Sequence, residues 1–120
     1  MDYIYINVEY LESVSGGDNS IIIEIVNLFR EQTEEFYNEM TALLAAKDYH
    51  SLGLLAHKAK SSVAIIGIND LAVMLKTFEL QAKEGIEADK YESYITRFKN
   101  DTDEALKELD DLINNSLNQD

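Results

Sequence analysis

The chain has 120 residues, of which 46% are hydrophobic and 28% charged, the balance of a single soluble globular domain rather than a disordered tail. With no proline and five glycines it suits long helices and leaves little room for a turn-rich sandwich or barrel. Ten basic against 23 acidic residues give a net charge of −13, which argues against nucleic acid and anionic membrane surfaces as partners, and the lack of cysteine excludes disulfides and thiolate metal sites.

The opening Met1-Asp2-Tyr3-Ile4-Tyr5 has neither the basic start nor the small-residue cleavage site of a secretory signal. No apolar run approaches the roughly 20 residues that cross a bilayer, so a cytoplasmic location is expected. A short helix over about 7–14 is expected to lid the fold, ending at the breaker Ser15-Gly16-Gly17. Asp18 is placed to cap the next helix, over 19–46, where Ile22, Ile25, Phe29, Phe36, Met40 and Leu43 form one apolar stripe. Glu31, Glu34, Glu35 and Glu39 fall on its far side. Asp48 caps a third helix over 49–66, whose inner stripe is Leu52, Leu55, Ala59, Val63 and Ile66.

Gly67 suits a left-handed helix end, and Asn69 suits the cap of a fourth helix over 70–84, which buries Leu71, Leu75, Phe78 and Ala82 and stops at Gly85. The fifth helix spans 89–117 and buries Tyr91, Ile95, Phe98, Ala105, Leu109 and Leu112. Short turns make successive helices antiparallel neighbours. The expected fold is all-α: residues 1–120 as a single domain, an antiparallel up-down-up-down four-helix bundle with a short N-terminal lid helix. No exposed apolar stripe demands a second copy, so a monomer is expected.

His57 does not fit the core. At about 100° per residue it points roughly 160° away from the centre of its helix's inner stripe. Gly53, Lys60, Ser61 and Ala64 share its arc, three of them small, where an exposed helix face normally carries long charged side chains. Glycine inside a helix costs about 1 kcal/mol against alanine, so Gly53 calls for an explanation. Small neighbours would let another protein approach the ring, with Leu54 and Ile65 as an apolar rim. Neutral imidazole is a competent nucleophile, and its phosphoramidate is labile enough to pass a phosphoryl group onward. Lys60, one turn away, could face the phosphoryl oxygens. A lone outward histidine is more often a plain surface residue, which is the simple reading of His50. The two histidines, seven residues apart, stand too far from each other for one metal ion.

The run His57-Lys58-Ala59-Lys60-Ser61-Ser62, followed by Gly67 and Leu71, resembles the signature of histidine-containing phosphotransfer (HPt) domains: histidine, two residues, lysine, a small residue, serine, and a glycine ten positions after the histidine. The resemblance extends to Phe78-Glu79 and backwards through Gly17-Asp18, Phe29 and Lys47-Asp48, covering about residues 8–115. Two departures stand out: Ser61 where the family often has glycine, and Lys47 where it has a glycine before the turn aspartate.

The resemblance implies that His57 is the phosphoacceptor and Lys60 its electrostatic helper. It implies docking of response-regulator receiver domains over this helix and its neighbour, at Gly53, Leu54, Lys58, Ser61, Ala64 and Ile65, with a hybrid sensor histidine kinase as a further partner. No cofactor or metal of its own is expected; Mg²⁺ belongs to the partner receiver. The chain has no glycine-rich nucleotide loop, so a transfer intermediate without autokinase activity is expected rather than an enzyme. A non-catalytic helical adaptor is the alternative. A metal-carboxylate bundle would need Glu-x-x-His motifs, and neither histidine has a glutamate three residues before it. Glu79 is expected at about the height of His57, either against it or on the bundle surface alone.

Overall fold

Polar side chains start the helices and left-handed residues stop them. The computed structural model describes residues 3–114. Helix α1 (Val8–Ser15) starts where the Asn7 side chain accepts from the Tyr10 backbone N–H. Helix α2 (Asn19–Ala45) starts with Asp18 accepting from the N–H of Ser20, and α3 (Tyr49–Ile66) with Asp48 accepting from that of Ser51. Both are the caps expected from the sequence. At the end of α3, Gly67 takes a φ of 84°, which lets its own N–H and that of Ile68 close back onto the carbonyls of Ala64 and Val63. The same closure ends α2, but there Lys47 holds a φ of 57°.

Helix α4 (Asn69–Glu84) departs from expectation at its start. Ile68 occupies the cap position with no side-chain hydrogen bond, and Asn69 is already helical. Ile68 is buried, so burial of its side chain sets the chain path here and the polar cap is dispensed with. A single 3₁₀ turn, Ala88–Lys90, precedes α5 (Tyr91–Leu112), so the regular helix begins two residues later than expected. Tyr91 fastens this turn, its ring fully buried and its hydroxyl donating to the Ile86 carbonyl. The expected continuation of the last helix to 117 falls partly outside the described residues.

No strand occurs among the described residues, and the protein is all-α. Helix α3 packs on α4 and α2, and α5 packs on α2 and α4, so these four enclose one core. Contacting residues run in opposite senses: His57 meets Glu79 and Gly53 meets Lys83 across α3 and α4, while Arg30 meets Asp110 and Tyr37 meets Lys99 across α2 and α5. Helix α1 touches α2 and α3. The segment before it is held on α5, where the Glu108 carboxylate accepts from the N–H groups of Ile4, Tyr5 and Ile6 at 2.9, 2.9 and 3.1 Å.

The stripes read from the sequence on α3, α4 and α5 are all buried. The core also holds Val26, Ala56 and Met74, and the polar Thr33, Ser62, Glu79 and Thr102. None of the described helices is long and apolar enough to cross a membrane.

Candidate functional site

His57 sits mid-way along α3 with 53% of its side chain exposed. Its neighbours divide into two flanks. At about 100° per residue, Leu54, Lys58, Ser61 and Ile65 turn toward α2, and Gly53 and Lys60 turn toward α4. The α2 flank is open: Lys58 and Ser61 are exposed, and Leu54 and Ile65 are 46% and 47% exposed. Ala64, two turns along from the ring, is exposed as well. Ser61 folds its hydroxyl back onto its own helix, Oγ lying 3.4 Å from the His57 carbonyl. Beneath this surface Ser62 donates to Gln32 of α2 at 2.8 Å.

The α4 flank corrects the reading of Gly53. It is buried and forms no part of a rim around the ring. A Cβ there would stand 2.9 Å from Cγ of Lys83 and 3.1 Å from both the Glu79 carbonyl oxygen and the Lys83 nitrogen. The missing side chain lets the α4 backbone lie directly against α3. Periodicity places a residue relative to its own helix's core; it does not say that a neighbouring helix fills the flank.

That close approach delivers Glu79, which is 3% exposed, to the imidazole. Its Oε1 lies 3.1 Å from Nδ1 of His57, and its Oε2 accepts from Nζ of Lys83 at 2.8 Å. Lys60 and Lys76 bring their ammoniums to 3.7 and 4.0 Å from Oε1. Burial pushes the Glu79 carboxyl up. Hydrogen bonds from Lys83 and His57, with the charges of His57 and Lys76, more than offset this and hold it at about 2. Glu79 is therefore an anion at any physiological pH, an acceptor only. A carboxylate at Nδ1 draws the ring proton to that nitrogen, which leaves the lone pair of the neutral ring on Nε2.

Lys76, Glu79 and Lys83 were legible as a set, spaced three and four residues apart on one helix face. Glu79 was expected at the height of His57; what the sequence left open, whether it meets the ring or stays on the bundle surface, resolves as contact. Every buried side-chain polar atom among the described residues has a partner. Among those residues no group of three or more His, Asp or Glu could hold a metal ion. His50 is exposed in the first turn of α3, as read from the sequence. A cleft between residues 3–9 and the start of α4 contains none of these side chains.

These features define an all-α domain that holds one half-open imidazole on its flank against a buried carboxylate. The chain belongs to the Hpt domain family: the family's sequence model matches residues 24–119, which include α3, α4 and the whole site. Membership implies a histidine phosphotransfer role in phosphorelays, in company with receiver domains and kinases, and a carrier rather than a typical enzyme. No curated protein and no solved structure matched the chain.

Proposed function

We propose that this protein is a phosphoryl carrier of a two-component phosphorelay, accepting the group on Nε2 of His57 from a receiver-domain aspartate and passing it to another receiver. The observation that carries this reading is the bond from Nδ1 of a half-exposed His57 to the buried anion of Glu79. It orients the ring, sets the tautomer and turns the nucleophilic nitrogen outward.

In the forward step the Nε2 lone pair forms an N–P bond while the P–O bond to the donor aspartate breaks. That electron pair leaves on the donor's carboxylate. The Nδ1 proton stays on the ring, and the positive charge the ring acquires faces Glu79. Transfer to the second receiver reverses each change. Lys60 neutralises phosphoryl oxygens, and Mg²⁺ is supplied by the receiver. Leu54, Lys58, Ser61, Ala64 and Ile65 form the docking surface, while Gly53 acts from the opposite flank by letting α4 approach.

The carrier works as a cytoplasmic monomer, a single domain whose α2–α5 form an up-down-up-down bundle with α1 as its lid. It has no autokinase activity and no resident cofactor. Incubation with a phosphorylated receiver domain should label the protein, and His57→Gln should abolish the label while helicity is retained. Label persisting on that variant would reject the reading. Binding without transfer would leave a non-catalytic adaptor in its place.

A further inference from the structure

Half of the ten basic residues in this acidic protein are matched singly. Among the described residues Arg30, Lys90, Arg97, Lys99 and Lys107 each pair with one carboxylate. Glu79 is different, because Lys60, Lys76 and Lys83 all converge on it beside His57. The three do not bind it alike. Lys83 donates a hydrogen bond to Oε2 at 2.8 Å and balances the carboxylate. Lys60 and Lys76 stop at 3.7 and 4.0 Å from Oε1, beyond hydrogen-bond reach.

The antiparallel register explains why these two stand side by side near the ring. With His57 opposite Glu79 and Gly53 opposite Lys83, the next turn brings Lys60 of α3 level with Lys76 of α4. The two ammoniums therefore come from different helices at one height. After Lys83 has matched Glu79, they leave two positive charges uncompensated in a chain whose net charge is −13. A phosphoryl group brings about two negative charges.

We infer that Lys76 is a second phosphoryl-contacting residue, which closes on the group from α4 while Lys60 closes on it from α3. The inference rests on His57 being the phosphoacceptor. No bond changes at Lys76. Its ammonium swings on a flexible stem, 51% exposed, from the neighbourhood of Oε1 to the oxygens of the group on Nε2. In the unphosphorylated protein it stands 4.0 Å from the Glu79 oxygen that faces the ring.

The test uses phosphoramidate, a small donor whose P–N bond breaks with loss of ammonia as the new N–P bond forms. No receiver is present to supply charges of its own. The wild type should become labelled on His57. Lys76→Gln should slow labelling by about tenfold and flatten its dependence on ionic strength, and Lys76→Arg should recover most of both. Lys107→Gln, the same charge change at a remote pair, should behave as wild type. Label on His57 with Lys76→Gln indistinguishable from Lys107→Gln would overturn the role of Lys76 alone. Label surviving His57→Gln would overturn the acceptor assignment, and this inference with it.

Discussion

Gly53 lies so close to Lys83 that a methyl group in place of its hydrogen would meet the lysine Cγ at 2.9 Å and the lysine nitrogen at 3.1 Å. The Cγ belongs to a flexible side chain and can move; the nitrogen is α4 backbone and moves only with its helix. Gly53→Ala therefore sets two terms against each other. Helix propensity favours alanine by about 1 kcal/mol, and overpacking against backbone costs about 1–3 kcal/mol. The expected result is a net loss of about 1 kcal/mol in urea unfolding. Slower phosphoryl transfer should accompany it, because separating α3 from α4 draws Glu79 away from Nδ1. A variant more stable than wild type with unchanged transfer would show that the helices yield freely at this point.

Glu79 links the site to acid stability. Its carboxyl is lowered from 4.5 to about 2. The stabilisation it contributes is complete above its unfolded value and is lost as pH falls from about 4.5 through about 2. Glu79→Gln keeps the shape and removes the charge. The stability gap between wild type and variant should be about 2–3 kcal/mol near pH 7 and should close progressively between pH 4.5 and 2. Urea midpoints measured across that range check this. A gap independent of pH would mean that packing, rather than the charge of Glu79, holds the α3–α4 seam. Transfer at neutral pH should also slow in this variant, since a neutral amide oxygen accepts from Nδ1 more weakly than a carboxylate and no longer balances the charge the ring acquires.

Much of this was legible in the chain because the signals are local. Asp18 and Asp48 announce the starts of α2 and α3, and Gly67 and Gly85 end α3 and α4, each through bonds spanning a few residues. Periodicity placed the inner stripes of α3, α4 and α5 and turned His57 outward, but on α2 it put Ile25, Phe36 and Leu43, which are only partly buried, in the stripe and missed Val26 and Thr33. What was misread, or for Glu79 left open between the ring and the bundle surface, is all tertiary. Asn69 carries a capping side chain, but burial of Ile68 moved the boundary past it. Gly53 reads as a gap in a surface until α4 is laid across it. Glu79 is a charged residue in a mostly acidic chain, and its burial follows only when three lysines and a histidine from two helices meet it. Lys47 is a third kind of case: the fold keeps a left-handed turn where the Cβ of lysine costs about 1–2 kcal/mol, because the closure onto Leu43 and Leu44 and the cap from Asp48 determine the conformation around it.

Ser61 tests whether the α2 flank is the side from which a receiver approaches. The serine is exposed one turn after His57, and its hydroxyl is spent on the His57 carbonyl rather than directed at the ring. Removing that hydroxyl should leave the chemistry alone: Ser61→Gly is expected to transfer within about twofold of wild type and to lose about 0.5 kcal/mol through helix propensity. Adding bulk should do the opposite. Ser61→Arg costs the helix little, since arginine is a good helix former on an open face, and stability should stay within about 0.5 kcal/mol of wild type. Yet a long charged side chain there stands between the imidazole and any protein surface descending over Leu54 and Ile65. Transfer from a receiver should fall by about a hundredfold or more, whereas labelling by phosphoramidate, which needs no such surface, should fall far less. Equal losses with both donors would place the obstruction at the ring itself, and no loss with either would put the receiver on a different face.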